Sequence, residues 1–374
     1  MPEAKRFNSI TEIKRDEWNR CFAGELETYD YFLSLERSHI KGFTHCYYAI
    51  MEGETLLAGL PAFFTDYDLA TTADGTIKKI LASIKRLLPS LVTLKLACIG
   101  STATESCPVA MHPSLTTEKK QEHFSQLLHF FKDDAQAHNT KLLAFKDLSK
   151  PSKALYGDIL TAHRFHCVAG MPTAVSPINF TSIDDYLSRL SSATRKDMRR
   201  KLKKQRDIRI DYRRNVDDII DDIYAMYLET KCRSDLQFEE LTPDYFREVL
   251  ACTGEGGLCC VYFAGDKLIG ANIMLLNEER LLDKFFCMRT DEGHAYNLYF
   301  VSWFSNLQYC LDKGLKIYQS GQAGYETKLR LGSVLEENWM YFHHRNRFAD
   351  RLLKLVSPLL AFDIPEVKLS DKPS

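Results

Sequence analysis

A stretch near the carboxyl end, Ser320-Gly-Gln-Ala-Gly-Tyr-Glu-Thr-Lys-Leu-Arg-Leu-Gly332, concentrates groups that can accept, donate and neutralise charge. Gly321 and Gly324 permit close backbone approach to a ligand. Gln322, Tyr325, Glu326, Lys328 and Arg330 follow directly on an apolar strand, Leu315-Lys-Ile-Tyr-Gln319. The carboxyl end of a strand is the ligand edge of an open α/β sheet, so this run can supply acid, base and hydrogen-bond donors to a bound substrate. Without a ligand, the same residues make a solvated turn with surface ion pairs of little energetic weight. Asp283 and Lys284 interrupt another apolar strand, 281–288. Strand neighbours face opposite sides of a sheet, so at least one of the two is expected to meet a cleft, a partner charge or solvent.

The segment Arg195–Arg214 holds eleven Lys and Arg against three Asp, a local excess of eight positive charges. It could attract carrier phosphates, whether of a nucleotide or of tRNA, and tRNA binding would fall steeply with salt. The alternative is a solvated helix face beside Asp217, Asp218, Asp221 and Asp222. Across all 374 residues the formal net charge is only −1, which excludes attraction of nucleic acid or anionic membrane by bulk charge. Eleven Cys are scattered without a CxxC pair, and Cys259 and Cys260 read as small core residues. His163, His166, His343 and His344 lack metal-like spacing and read as structural or surface residues; no metal is expected. No apolar run is long enough for a spanning helix, and the charged first twenty residues do not read as a secretory signal, so the expected compartment is the cytoplasm.

The elements that must position these residues follow from periodicity. Ser9–Trp18 and the segment with Phe32, Leu33, Leu35 and Glu36 predict helices; 44–51 and 55–64 predict a hairpin around Gly53. Residues 76–92 are amphipathic and basic, Leu94–Ile99 is largely apolar, Gly100–Ser106 is a small-residue loop, about 117–138 a helix and Lys141–Lys146 a strand. The proline- and glycine-punctuated stretch near 170–178 marks a boundary, giving two units, 1–172 and 173–374. In the second, helices at 183–190, 193–206 and 216–231 surround strand 208–212, then come three meander strands at 258–264, 268–276 and 281–288. A polar loop, 289–297, leads to a helix with Leu298, Val301, Phe304, Leu307 and Leu311, closed at Gly314. That helix must cross over to strand 315–319 in parallel, so the class is α/β with mixed, mainly antiparallel sheets flanked by helices.

Segments 297–300, 310–318 and 321–332 resemble those of GNAT-fold acyltransferases of the CelD/FemAB-like group, which includes peptidoglycan-biosynthesis acyltransferases. Ser9–Trp18, Tyr31–Glu36 and Leu57–Phe64 are similar to that group's first domain. Tyr186–Ser191 with Arg195–Arg200 is similar to the opening of its second. The resemblance implies two packed GNAT-like units and transfer of an acyl or aminoacyl group from a thioester or ester carrier to an amine, in a cleft between the units. It implies no permanently bound cofactor, with acyl-CoA or aminoacyl-tRNA as co-substrate. No clear (Gln/Arg)-x-x-Gly-x-(Gly/Ala) pyrophosphate loop follows the third meander strand, which leaves coenzyme A less firmly indicated and supports a non-catalytic ligand-binding rival.

Such chemistry requires a neutral amine, donors for an oxyanion and protonation of the leaving group. On this reading Glu326 takes the amine proton, and Tyr325 or Tyr299 protonates the leaving group. Backbone N–H groups on strand 281–288 or near Asn297 receive the oxyanion. Asn297, Gln322, Lys328, Arg330, Arg195 and Arg199 hold the carrier, and Asp283 and Lys284 the acceptor, a small-molecule amine or cell-wall-type precursor; tRNA would engage 195–214.

Overall fold

The computed structural model describes residues 1–68, 83, 86, 93–233, 238–357 and 362. The basic amphipathic expectation at 76–92 lies almost wholly outside them. Two mixed sheets organise the chain. The first comprises β1 (Glu3–Phe7), β2 (Phe43–Glu52), β3 (Thr55–Asp68), β4 (Thr93–Ile99), β5 (Ala110–Met111), β6 (Leu142–Ser149) and β7 (His166–Ala169). The second comprises β8 (Thr173–Pro177), β9 (Ile208–Arg213), β10 (Gly257–Ala264), β11 (Lys267–Leu276), β12 (Arg280–Met288), β13 (Ile317–Gly321) and β14 (Val334–Glu336). The last strand, β15 (Asn338–His344), completes the first sheet between β6 and β7. The stretch 173–374, expected to form the second unit, therefore returns one strand to the first.

Helices α1 (Arg15–Cys21), α2 (Tyr29–Arg37), α3 (Thr117–Ala137) and α4 (Lys150–Ala162) accompany the first sheet. With the second come α5 (Ile183–Arg189), α6 (Ser192–Leu202), α7 (Ile220–Lys231), α8 (Pro243–Thr253), α9 (Thr290–Ala295), α10 (Leu298–Lys313) and α11 (Tyr325–Arg330). Residues Arg347–Val356 form α12 after β15. Three local outcomes differ from the sequence reading. The chain opens with a strand rather than a helix; α9 occupies part of the expected polar loop 289–297; and α11 replaces the expected open loop after β13. Gly324, at φ +64, supplies the left-handed turn that starts α11.

Strand alternation sorts the apolar residues into layers. Tyr47 and Ala49 face a central core, and Cys46, Tyr48 and Ile50 face the outer core under α3 and α4. In the second sheet Cys259, Val261 and Phe263 join the central core, while Leu258, Cys260 and Tyr262 pack outward with α5, α6 and α10. The central core also draws Trp18 and Phe32 from the first unit and Ile223, Met226, Tyr245 and Phe246 from the second. Burying this common apolar layer is what holds the two units together.

Candidate active site

Among the described residues each sheet contains one parallel pair, β4 with β6 and β12 with β13. The second pair is short: Arg280–Leu282 align with Ile317–Gln319, and there the pairing ends. Beyond it β12 continues along β11 through a bulge that skips Lys284, because Ile273 opposes Phe285 and Met274 opposes Asp283. The other arm, β13, has its own register shift between Gln319 and Gly321 as it turns along β8. The strands thus fork, and the inner edge of β12 past Leu282 has no β13 partner. A strand edge opened in this way is where backbone N–H groups can meet a developing oxyanion.

Charged side chains from both units converge on this fork. On β12, Asp283 Oδ2 accepts hydrogen bonds from the Tyr318 hydroxyl at 2.9 Å and from Asn306 Nδ2 at 3.3 Å. Burial pushes the Asp283 carboxyl up to about 6, against the opposing pull of Tyr318 and Lys328. Its neighbour Lys284 points the other way, as strand geometry requires, and forms an almost fully buried ion pair with Glu27 from the first unit. The Lys284 ammonium also lies 4.8 Å from the Tyr31 ring centroid, and the Tyr31 hydroxyl meets that of Tyr245 at 3.1 Å. Both members of the predicted charged interruption therefore meet polar partners.

From the first unit, Glu105 reaches across to the second: its Oε2 accepts from Gln319 Nε2 at 2.9 Å, and Arg280 donates to the far side of the same amide at 2.8 Å. A Cβ at position 321 would lie 2.6 Å from Glu105 Oε1 and push that carboxylate aside, and Gly321 sits at φ +82, so the backbone requires glycine there. Lys328 is buried and donates to the carbonyls of Ser320 and Gly321, the latter at 3.0 Å. Burial lowers its pKa, opposed by Glu105 and Asp283. On the first unit's side Lys146 binds Asp147 at 2.6 Å and the Thr104 carbonyl. Burial works against its charge, yet Asp147, Glu239 and Glu27 outweigh it and raise its pKa.

Burial raises the carboxyl pKa of Glu27, Glu105 and Glu239 alike. With Asp147 and Asp283 these carboxylates outnumber Lys146, Lys284 and Lys328, and Arg280 reaches the group only through Gln319. Excess buried acid has two outlets: it holds protons, or it receives a cation. An alkylammonium entering here would be attracted, then could lose its proton to a carboxylate whose pKa is already lifted.

The remaining predicted residues disperse. Glu326 is exposed, on the face of α11 opposite Lys328, and makes no hydrogen bond or ion pair among the described residues. Tyr325 is buried with its hydroxyl donated to the Pro172 carbonyl at 2.8 Å, and Gln322 donates to the Met171 carbonyl at 3.0 Å. Tyr299 lies beside β12, its ring 6.3 Å from Phe286, and its buried hydroxyl has no hydrogen-bond partner among the described residues. Asn297, left-handed at φ +54, precedes α10 without capping it by its side chain. Arg330 pairs with Asp197 at 3.4 Å and Arg199 with Asp184 at 3.8 Å, both at the surface. Arg195 donates to the carbonyls of Ser188 and Leu190. His166, His343 and His344 gather around Asp350 rather than the fork.

Sequence reasoning did not single out Glu27, Glu105, Glu239, Lys146 or Asp147. One signal was available. Lys146-Asp147 ends the apolar run Leu142-Leu-Ala-Phe145 much as Asp283-Lys284 interrupts β12, and Glu105 is the one acid in the small-residue loop 100–106.

A family profile, FemAB-like, described as peptidoglycan biosynthesis/recognition, matches residues 107–357. No curated protein sequence matches the chain. Among solved structures, FemX is 11% identical with a TM-score of 0.60, covering 94% of this chain and 100% of its own. The C-terminal domain of a putative lysylphosphatidylglycerol synthetase from Agrobacterium fabrum is 12% identical with a TM-score of 0.54, covering 92% of this chain and 96% of its own. A tandem GNAT protein from the clavulanic acid biosynthesis pathway is 12% identical with a TM-score of 0.53, covering 92% and 99%. These likenesses show the fold, two GNAT-like units built on mixed sheets. The family match, spanning well over half of the sequence and including both arms of the fork, identifies this chain as a member of the FemAB-like family, acyl or aminoacyl transferases in general.

Proposed function

We propose that this chain forms an amide at the β12–β13 fork, moving an acyl group from acyl-CoA to the amine of a small molecule or cell-wall-type precursor. The observation that carries the reading is the excess of buried carboxylates that both units direct to one place, where strand pairing has opened. The amine nitrogen attacks the thioester carbonyl, the carbon–sulfur bond breaks, and the thiolate leaves with a proton. Glu105, rather than the exposed Glu326, takes the amine proton, because burial has lifted its affinity for one. Tyr299, rather than Tyr325, supplies the leaving group's proton, because the Tyr325 hydroxyl is committed to Pro172. Asp283 and Lys284 shape the acceptor side. The donor's need for coenzyme A would place the reaction in the cytoplasm; no helix among the described residues is long and apolar enough to cross a membrane.

A second reading, aminoacyl transfer from tRNA, draws on the basic segment. Most of its cations are paired or hydrogen-bonded, but Lys196, Lys203, Lys204 and Arg206 are exposed without a carboxylate partner among the described residues. Nearby Lys201 lies 3.7 Å from the Phe300 ring centroid, on the first turn of α10, so phosphates held along α6 would lie beside the fork's outer side. Thermal shift separates the donors: acyl-CoA at about 100 times its Kd should stabilise the fold by about 2.7 kcal/mol. Retention on tRNA that is lost at moderate salt, with no shift by coenzyme A, would favour the second donor. Mass spectrometry of amide product from candidate amines tests transfer itself, and absence of product with every donor class would leave the non-catalytic binding reading.

A further inference from the structure

We propose that α12 docks this protein peripherally on an anionic lipid bilayer. The helix is fixed in place: Asn346 caps it, accepting from the backbone of Phe348 at 2.9 Å and Ala349 at 3.2 Å. On its inner face the buried Asp350 accepts from the His344 backbone at 2.8 Å and lies 3.1 Å from His166 and 3.2 Å from His343. Leu353 packs on the same apolar cluster as Tyr67 and Leu94.

That anchoring turns Phe348, Leu352 and Leu355 outward, with exposures of 82%, 61% and 76%. At spacings of four and three residues they form one continuous stripe. Arg347, Arg351 and Lys354 run along one flank of it, and Arg345 precedes the helix; all four are exposed and make no ion pair among the described residues. An apolar stripe with unpaired cations at its border is the pattern of an interfacial helix, whose side chains enter the acyl boundary while the cations meet lipid phosphates.

Charge selects this occupant: Arg345, Arg347, Arg351 and Lys354 set four positive charges beside the stripe, and an anionic surface complements them.

Co-sedimentation of the full chain with vesicles tests this. The chain should sediment with vesicles of phosphatidylglycerol and phosphatidylcholine in equal parts, not with phosphatidylcholine alone, and salt should weaken the binding. Combining Arg347→Glu, Arg351→Glu and Lys354→Glu should weaken it about a hundredfold. Leu352→Ser with Leu355→Ser should abolish it, while Val334→Ser, at an exposed apolar residue elsewhere, should not; unchanged circular dichroism confirms that the variants fold. Absence of binding to the anionic vesicles, or binding that none of the α12 substitutions alters, would overturn the proposal. So would a dimer that disperses with the α12 substitutions and ignores vesicles, which assigns the face to a second copy. Binding that appears only after deletion of 358–374 would assign it to the chain's own tail.

Discussion

The two forks of the molecule begin alike and end differently. In the first unit β4 and β6 pair over Leu96–Ile99 and Leu142–Phe145, then part at Lys146-Asp147. The chain's own loop fills that gap. Gly100 donates to the Pro61 carbonyl at 2.8 Å and Cys107 to the Asp147 carbonyl at 2.9 Å, while Lys146 binds Thr104 and Asp147, all within the first unit. In the second unit the fork receives foreign groups: Glu105 from the first unit reaches Gln319, and Lys284 finds its counter-ion in Glu27. A duplicated architecture can thus hold one fork plugged by its own loop, which the second unit touches through Glu239, and one fork shared between the units. The loop that plugs the first carries the carboxylate that equips the second.

Stability can break this comparison most forcefully. Lys284→Met should destabilise the protein by about 3–5 kcal/mol, because Glu27 is left buried without its cation. Glu27→Gln combined with Lys284→Met should recover much of that loss in chemical denaturation. Equal recovery failure would mean that the pair does not act as a unit across the interface. On activity, Glu105→Gln should lower kcat by about a hundredfold or more, whereas Glu326→Gln should leave turnover within about twofold. If Lys146→Met abolished turnover while the fold remained intact, the plugged fork would be as chemical as the shared one.

Gly321→Ala sharpens the geometry. The added methyl meets both the Glu105 carboxylate and a positive φ, so a stability loss of about 1–3 kcal/mol is expected, measurable by denaturant titration. Asp283 predicts a smaller, pH-dependent effect. Its folded-state pKa of about 6 lies above the ordinary 3.8, so the folded protein binds the extra proton. Its contribution to stability is therefore present at low pH and is lost as pH rises from about 4 through about 6, by up to about 3 kcal/mol. Asp283→Asn should flatten that slope, and an unchanged slope would show that another buried carboxylate, Glu105 foremost, carries it.

Much of the scaffold was legible because periodicity survives local reading. The hairpin β2–β3, the meander β10–β12 and the crossover helix α10 all fall where alternation and helical spacing place them. The return of β15 to the first sheet was not legible, since a strand's apolar pattern does not say which sheet it joins. At the candidate site the sequence drew attention to the fork's own strands, to Asp283, Lys284 and Lys328. It could not show that Glu326 faces away from Lys328 in a helix where an open loop was expected.

By itself, then, the amino-acid sequence determined the repertoire: α/β units, strands interrupted by charge, a glycine where a backbone must be approached closely. Tertiary structure alone decided which charges meet. Glu27, Glu105 and Glu239 come from distant segments, and nothing in their neighbours' spacing links them. They become one group because burying the common apolar layer between the sheets brings their backbones together, and burial there raises carboxyl pKa values that exposed residues would not show.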